Sequence, residues 1–463
     1  MHVVVIGNGI SGITAARFVR KLSPDHRITV ISSETDHFFS RTALMYVYMG
    51  HMRAEDVKPY EDWFWEKNRI NLLRDHVENV DFEERSLALR TGATLTYDKL
   101  VLAVGSVPNK FGWPGQDLNN VQGMYSWQDL EDIEAASDGL QRAVIVGGGL
   151  IGIEMAEMFH SRHIPVSFLV RESSYWNGVL PPEESEMINR EILRNGIDLR
   201  LSTELKSIEN DGTGKVGAVI TNTGERIECG FVGLTAGVRP NVDFLKNSGL
   251  TIEKGIVVND HLETNQPHVY AVGDCAQLRD PQPGRRPIEA VWYTGRMMGE
   301  AVAHNICGTP VRYNPGIWFN SAKFIDIEYQ VYGNVRAQLQ AGESKLYWEH
   351  PDGTKAIRIV YRTDDLRIVG FNLMGVRYRH EVCEAWIAEG TSVEKVLQNL
   401  SLANFDPEFY DTYEAELVRQ YNAQAGTDLR LQTKRGLSPV LRFLRSGKGR
   451  GRRTTAKDLK YEI

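Results

Sequence analysis

The chain has 463 residues, more than one hydrophobic core supports, so roughly two to four domains are expected. Its 42% apolar and 24% charged residues are typical of a globular protein, and no apolar run approaches the ~20 residues of a membrane span. Met1 and His2 lead directly into a predicted strand, so the sequence predicts no signal peptide and a cytoplasmic location. The four cysteines form no Cys-x-x-Cys pair, and no third ligand accompanies His160 and His163. We therefore expect neither a metal centre nor a paired redox disulfide.

The net charge of −7 conceals a strong segregation along the chain. Residues 430–463 carry eleven basic and two acidic side chains, a net charge of +9 that leaves −16 for the preceding residues. This composition predicts a flexible basic tail, with residues 437–445 as a short amphipathic turn. Such a tail suits an acidic partner or an anionic membrane surface equally well.

A predicted buried strand, Val3–Ile6, runs into a glycine-rich turn and then a helix. Gly7 permits the tight turn, Gly9 lets the backbone approach a pyrophosphate, and Gly12 lets the helix pack closely on the strand. The next predicted strand is followed by Glu34, where a carboxylate accepts hydrogen bonds from ribose hydroxyls. This stretch predicts a dinucleotide-binding site.

The segment 38–47 is predicted to form a turn and a short helix beside the bound cofactor. Arg41 is the residue in this segment that is suited to a phosphate or an adenine. Short alternating stretches between Leu72 and Leu95 predict a small antiparallel sheet. An apolar strand then runs through Ala103 to Gly105 and is expected to return to a parallel sheet.

The strand, glycine turn and helix pattern recurs with Gly147, Gly149 and Gly152. Two matches in the correct context are a far stronger indication of dinucleotide binding than one. The strand that follows the helix ends at Arg171 and Glu172. Glu172 would accept the ribose diol of NADH, whereas Arg171 would pair with the 2′-phosphate of NADPH. We favour NADH and leave NADPH open.

The remaining elements predict a return to the first sheet and then a change of architecture. The sequence predicts a helix over 183–195, strands over 215–221 and 227–235, and a strand that ends at Gly273 and Asp274. The Asp274 carboxylate either binds a sugar-like hydroxyl chain or caps a helix. After a helix over 292–305, an antiparallel α+β region is predicted, with strands over 323–332, 344–349, 356–361 and 368–374 and a helix over 381–389.

Together these motifs resemble the FAD-dependent pyridine nucleotide-disulfide oxidoreductase superfamily. The resemblance spans roughly residues 1–320, and the later α+β segment resembles the superfamily's C-terminal interface domain. It implies an α/β fold with two Rossmann-like dinucleotide-binding domains, as in glutathione reductase, plus that C-terminal domain. The implied domains are an FAD-binding domain (1–112 and 242–319), an NAD(P)H-binding domain (113–241), an α+β interface domain (320–429) and the basic tail (430–463).

The resemblance also implies the cofactors, FAD and NADH or NADPH, and their sites. The candidate FAD contacts are Gly7, Gly9, Gly12, Glu34, Arg41, Ala103, Gly105, Gly273, Asp274 and Trp292, and Val104 replaces the threonine usual in the family. The candidate contacts of the pyridine nucleotide are Gly147, Gly149, Gly152 and Glu172. Glu154 is implied to orient the nicotinamide, and Thr42 and Tyr46 are candidates at the reacting end of the flavin.

Thr42 stands where related NADH oxidases and coenzyme A disulfide reductases carry a single redox cysteine. A thiol relay beside the flavin is therefore not expected, which disfavours disulfide reduction. The chain is similar to the branch without redox cysteines, which contains ferredoxin and rubredoxin reductases and the flavin module of nitrite reductases. It departs from that branch too, because Met45 and Tyr46 occupy the region of its lysine.

This resemblance implies an oxidoreductase that takes hydride from NAD(P)H onto flavin and passes electrons to an acceptor, with an iron–sulfur protein as the expected partner. One alternative is an NADH:quinone reductase docked on the membrane by the tail. A second is an NADH-sensing flavoprotein that acts through partner binding, in which case the tail could contact nucleic acid. A homodimer is left open.

Overall fold

The computed structural model describes residues 1–432; residues 433–463, with the predicted amphipathic turn and most of the predicted flexible tail, lie outside the described residues. The first segment opens with a strand of four consecutive β-branched residues that are buried on both faces, as in a central parallel strand. Its elements are β1 (His2–Ile6), α1 (Ile10–Leu22), β2 (Arg27–Ser32), α2 (Leu44–Tyr48), α3 (Trp63–Lys67), β3 (Ile70–Arg74), β4 (Val77–Asp81), β5 (Ser86–Leu89), β6 (Thr94–Thr96), β7 (Lys99–Leu102) and β8 (Ser106–Pro108).

The second segment repeats the alternation of strand and helix. A capping box between Ser126 and Asp129 starts its first helix, and Pro182 occupies the first position of its third. The elements are β9 (Val121–Gln122), α4 (Trp127–Ala136), β10 (Ala143–Val146), α5 (Leu150–Ser161), β11 (Val166–Leu169), α6 (Pro182–Arg194), β12 (Asp198–Arg200), β13 (Leu205–Asn210), β14 (Val216–Thr221), β15 (Arg226–Glu228), β16 (Phe231–Leu234) and β17 (Val238–Pro240).

The rest of the described chain returns to the first segment and then forms an antiparallel sheet with helices. Its last helix ends at Gly426, which has the positive φ of a helix C-cap. The elements are β18 (Ile256–Val258), β19 (Val269–Ala271), β20 (Ala276–Leu278), α7 (Trp292–Ile306), β21 (Phe319–Phe324), β22 (Ile327–Gly333), β23 (Glu343–Glu349), β24 (Ala356–Arg362), β25 (Ile368–Met374), α8 (His380–Ala388), α9 (Val393–Gln398) and α10 (Glu414–Ala425).

Two parallel five-stranded sheets organise these elements into a Rossmann-type α/β fold. The first has the order β19-β7-β1-β2-β3 and the second the order β12-β11-β10-β16-β9. Strand β19 comes from beyond the second sheet in sequence, which is the expected consequence of a discontinuous first domain. On these grounds we propose the domain boundaries 1–112 with 242–319, 113–241 and 320–429. The third large sheet, β21-β22-β25-β24-β23, is antiparallel throughout.

Helices α1 and α7 pack closely because both present small residues at their contact. A Cβ atom on Gly299 would lie 2.4 Å from the carbonyl oxygen of Ser11, and one on Gly295 would lie 2.6 Å from the Ser11 hydroxyl. This packing brings the start of α7 next to the first glycine turn. Among residues 1–432, no helix combines the length and apolarity needed to cross a membrane.

Most predicted elements are confirmed, including the antiparallel β4-β5-β6 sheet and the helices α6, α7 and α8. Two predicted strands are wrong because each is two strands. The stretch 227–235 divides at Gly230, whose N–H bonds to Arg142, so that β15 and β16 join different sheets. The stretch 323–332 is the hairpin β21-β22, which turns at Ile325 with a positive φ of 57°. Helices α3, α4, α9 and α10 were not predicted.

Candidate functional site

The first glycine turn leaves no space for side chains where the backbone crosses itself. Gly7 has φ +111°, and a Cβ atom there would lie 2.1 Å from the carbonyl oxygen of Ala103. A Cβ on Gly12 would lie 2.1 Å from the carbonyl oxygen of Gly7. At Gly9, by contrast, a Cβ would meet no atom within 4 Å. The turn is therefore tightly packed on the protein side and open at Gly9, where a ligand can approach.

The Asp274 carboxylate lies beside this turn in a polar cluster. It follows Gly273, whose positive φ of +74° and close approach to Ser11 place the pair against the start of α1. Its Oδ2 accepts hydrogen bonds from the Ser106 and Tyr125 hydroxyls, each at 3.2 Å. Burial raises the pKa of the Asp274 carboxyl above its ordinary value. Since the Asp274 carboxylate accepts hydrogen bonds from two side-chain hydroxyls, this geometry does not support the alternative in which Asp274 caps a helix.

Tyr125 connects Asp274 with the Gly105 backbone. Its hydroxyl accepts a hydrogen bond from the Ser106 N–H at 2.9 Å, and a Cβ on Gly105 would lie 2.6 Å from the same oxygen. Burial is also the main cause of the raised pKa of Tyr125, so the phenol stays protonated and donates to Asp274. No sequence motif pointed to this tyrosine, which lies immediately before the helix-capping Ser126.

Glu34 is held in place by Arg41 and by the start of α4. The Arg41 guanidinium donates to both Glu34 oxygens, at 2.8 and 2.7 Å, and the Trp127 N–H donates to Glu34 Oε1 at 2.8 Å. Arg41 also donates to the Tyr125 carbonyl and stacks over the Tyr125 ring at 4.6 Å. Arg41, which the sequence suggested for a phosphate or an adenine, therefore bridges Glu34 and Tyr125. A carboxylate has about four acceptor sites, so Glu34 retains about one for a ribose hydroxyl.

The second glycine turn has the same construction as the first. Gly147 has φ +120° and lies against Thr235, and a Cβ on Gly152 would lie 2.2 Å from the carbonyl oxygen of Gly147. Gly149 again has no atom within 4 Å of a Cβ position. The hydroxyl of the buried Tyr175 donates to the Gly149 carbonyl at 3.1 Å and steadies the turn. Each parallel sheet thus carries one open helix N-terminus suited to a pyrophosphate.

Glu154 lies on α5, two residues beyond the second turn, and has no hydrogen-bond or ion-pair partner within residues 1–432. Burial, reinforced by the neighbouring Glu157, raises the pKa of Glu154 to about 7. Glu157 forms an ion pair of 2.5 Å with Lys323 on β21. The Lys323 ammonium thus reaches α5 from the C-terminal sheet, and its partner there is Glu157.

Segment 38–48 contacts Glu34 and helix α5. Arg41 ties it to Glu34, and Tyr48 packs edge to face on Phe159 of α5, with ring centroids 5.8 Å apart. Thr42 is exposed, with Ser40 as its hydrogen-bond partner at 3.4 Å. The Tyr46 ring stacks on His51 at 6.2 Å and lies 6.0 Å from the Lys323 ammonium.

Trp292 is the first residue of α7, the helix that packs on α1 beside the first turn. Its indole packs edge to face against Tyr293 and lies 6.0 Å from the Arg296 guanidinium. At the end of β11, Arg171 and Glu172 form an exposed ion pair of 2.8 Å with each other. This pairing leaves both nucleotides open, because either side chain is free to exchange its partner for a ligand.

The cysteines lie away from the glycine turns or deep in the core. All four are free, and Cys229, Cys275 and Cys383 are buried. Burial raises the pKa of every one of these thiols, to about 12 for Cys229 and Cys275. Within the described part of the chain, no three His, Cys, Asp or Glu side chains are grouped to hold a metal ion.

The two sites differ in the carboxylates that accompany their glycine turns. The first combines an open helix N-terminus with two carboxylates, Glu34 and Asp274, that can accept hydrogen bonds from sugar hydroxyls. The second has an open N-terminus, Glu172 at the adjacent strand end and the unpartnered Glu154. The residues present therefore fit both cofactors.

The fold and both sites define a two-dinucleotide flavoprotein, and the chain belongs to the pyridine nucleotide-disulphide oxidoreductase family, which it matches over residues 1–299. Among its relatives is the nitrite reductase [NAD(P)H] of Bacillus subtilis, 26% identical over 92% of this chain and 50% of that protein. Another is the rubredoxin-NAD(+) reductase of Pseudomonas putida, 25% identical over 69% of this chain and 83% of that protein. The chain spans about half the length of the first curated relatives it matches.

A solved structure with the same fold is the ferredoxin reductase for the CYP199A2 system from Rhodopseudomonas palustris. It has a TM-score of 0.73 and 23% sequence identity, and the match covers 81% of this chain and 91% of that one. At this identity the likeness establishes the fold. The predicted superfamily, fold class and FAD and NAD(P)H cofactors are confirmed.

Proposed function

We propose that the protein is an NAD(P)H-dependent FAD oxidoreductase that passes electrons to an iron–sulfur protein. The bound cofactors supply the chemistry, hydride transfer from nicotinamide C4 to flavin N5. The chain's own residues bind and orient them. The residues proposed to hold FAD are Gly7, Gly9, Gly12, Glu34, Arg41, Ala103, Gly105, Gly273, Asp274 and Trp292, and those proposed to hold NAD(P)H are Gly147, Gly149, Gly152, Glu154 and Glu172.

The observation that carries the choice of acceptor is the absence of a reactive thiol from segment 38–48. Thr42 replaces the cysteine, and a hydroxyl cannot form the mixed disulfide through which a disulfide acceptor is reduced to thiols. The four cysteines elsewhere are protonated at neutral pH, because burial raises their pKa. Without a thiol relay, transfer of single electrons to a docked carrier is the route that the site supports. The rubredoxin reductase among the relatives acts on a carrier of this kind by name.

Steady-state assays with four classes of acceptor test this proposal. We expect rapid NADH-dependent reduction of ferricyanide and of a rubredoxin or [2Fe–2S] ferredoxin, and negligible reduction of glutathione disulfide or coenzyme A disulfide. Disulfide turnover that matches the carrier rate would refute it. Preferred reduction of a water-soluble quinone would instead support the quinone reductase alternative. A long-lived reduced flavin with slow turnover on every acceptor would support the sensor.

We propose NADH as the preferred nucleotide, because the Glu172 carboxylate repels a 2′-phosphate and accepts a ribose diol. Arg171 opposes this preference, and its 2.8 Å contact with Glu172 partly neutralises the carboxylate. Stopped-flow reduction of the flavin by each nucleotide measures the balance. Equal rate constants and affinities for NADH and NADPH would contradict the assignment to Glu172.

Glu154→Gln is expected to flatten the pH dependence of flavin reduction. The pKa of about 7 makes Glu154 neutral below and ionised above that pH. An ionised carboxylate that orients the nicotinamide also stabilises the positive charge left after hydride loss, so the wild-type rate should rise between pH 6 and 8. In Glu154→Gln the rate should be constant across this range and about tenfold below the wild-type plateau, a difference of ~1.4 kcal/mol. Single-turnover stopped flow measures the pH dependence and the plateau rate. If Glu154→Gln kept the wild-type inflection, that inflection would belong to another group.

A further inference from the structure

Four large apolar side chains are exposed together on the C-terminal region, between α9 and α10. Leu402, Phe405, Phe409 and Tyr410 have 39%, 51%, 79% and 50% of their surface accessible. The Phe405 and Tyr410 rings lie 6.4 Å apart, and the Phe409 and Tyr410 N–H groups bond to the Asp406 carbonyl in one turn. Exposure of neighbouring large aromatic residues marks an interaction surface.

Three carboxylates are interleaved with these rings along the chain. Asp406, Glu408 and Asp411 form no ion pair within residues 1–432, and segment 400–413 contains no lysine or arginine. Arg377, a neighbouring cation, lies 5.1 Å from the Phe405 ring and is already paired with Glu328. We name these seven residues, Leu402, Phe405, Asp406, Glu408, Phe409, Tyr410 and Asp411, the aromatic–acidic face.

The last described residues contact the end of α9, which precedes Leu402 of this face in the chain. Leu429 and Leu431 pack on the hydrophobic core of the C-terminal region, and the Gln432 N–H bonds to the Gln398 carbonyl at 2.7 Å. Gln398 ends α9, and Leu402 follows four residues later. A chain reaches at most ~3.4 Å per residue, so a residue five positions beyond Gln432 lies within ~17 Å of it.

The sequence that follows complements the aromatic–acidic face in both charge and polarity. Residues 433–463 contain ten lysine and arginine side chains and only two acidic ones. Segment 437–445 adds five aliphatic or aromatic residues, Leu437, Val440, Leu441, Phe443 and Leu444, beside Arg442 and Arg445. Opposite charges at short range and apolar contact together stabilise such an association.

We propose that residues 433–453 of the chain bind to the aromatic–acidic face of the same chain. The apolar residues of 437–445 cover the exposed rings, and the flanking arginines and lysines neutralise Asp406, Glu408 and Asp411. The acidic partner of residues 433–453 is thus the protein's own surface. This inference is independent of the acceptor and of the nucleotide.

Zero-length carbodiimide cross-linking of the full-length protein tests this binding, because it joins a lysine amine to a carboxylate in direct contact. We expect amide links from Lys434 and Lys448 to Asp406, Glu408 or Asp411 by peptide mass spectrometry. Their yield should fall at least about fivefold in 0.5 M salt, which screens charges beyond ~4 Å. Links should form within one chain when ¹⁵N-labelled and unlabelled protein are mixed.

A pair of matched variants separates the face from general surface chemistry. Phe409→Ala should lower the yield of these links at least about threefold, whereas Phe111→Ala, which removes an aromatic side chain that is 62% exposed elsewhere, should leave it unchanged. Equal loss in both variants would overturn the proposal, as would links spread evenly to remote carboxylates such as Glu83 and Glu84.

Two further outcomes would assign the basic segment elsewhere and overturn the proposal. Links only between differently labelled chains would make a second copy the occupant. If the protein forms no link to the face but co-sediments with phosphatidylserine vesicles, the target of the basic residues would be an anionic membrane surface.

Discussion

The Arg358→Met variant is expected to lose about 3 kcal/mol of unfolding free energy at pH 7.5. Arg358 on β24 is 2% exposed and donates to both oxygens of Glu184, which is 1% exposed, and to Glu183. These contacts join helix α6 of the second segment to the C-terminal sheet. Methionine fills the volume but leaves a buried carboxylate without a partner, which costs ~3–5 kcal/mol. Urea unfolding followed by tryptophan fluorescence measures the loss.

The loss at position 358 should depend on pH in a defined direction. Burial already raises the pKa of Glu184, and removal of Arg358 raises it further above the unfolded value. A carboxyl group with a raised folded pKa is penalised above its unfolded pKa, and the penalty disappears as pH falls below it. The deficit of Arg358→Met should therefore be smaller at pH 5 than at pH 8. Arg362→Met, on the same strand but 52% exposed, should change stability by less than ~1 kcal/mol.

Gly12→Ala is expected to prevent incorporation of FAD and to destabilise the first sheet. The new Cβ would lie 2.1 Å from the Gly7 carbonyl oxygen, so α1 must move away from β1. Overpacking of this kind costs ~1–3 kcal/mol, and here it displaces the helix N-terminus that the pyrophosphate needs. Released flavin per chain and the thermal midpoint report the two effects. A Gly12→Ala protein with wild-type flavin content would show that the turn is not the flavin site.

The sequence predicted the parts of the fold that depend on local periodicity. Gly7, Gly12, Gly147 and Gly152 stand where backbone crossings exclude any side chain, so the two turns were readable from spacing alone. The hairpin at Ile325 could not be predicted from the sequence, because its residues continue the apolar alternation of the strands. Its positive φ also falls on a β-branched residue, which rarely adopts that conformation.

The contacts that complete the sites are mostly long-range and left no local pattern. Tyr125 reaches Asp274 across 149 positions, and Lys323 reaches Glu157 across 166. The sequence predicted no element around Tyr125 and only a strand at Lys323. Arg41 was identified as a site residue, but its partner in the structure, Glu34, is a residue to which the sequence assigned a separate role.

The reciprocal alanine variants of the two open glycines, Gly9 and Gly149, test the central claim that the first turn holds FAD and the second holds NAD(P)H. Neither new Cβ meets a protein atom within 4 Å, so both variants should fold with wild-type stability. Gly9→Ala should weaken FAD binding by at least about tenfold, or ~1.4 kcal/mol. Gly149→Ala should keep a full complement of FAD and weaken NADH binding in stopped-flow titrations by a similar factor. Full FAD content in Gly9→Ala together with FAD loss in Gly149→Ala would contradict the assignment.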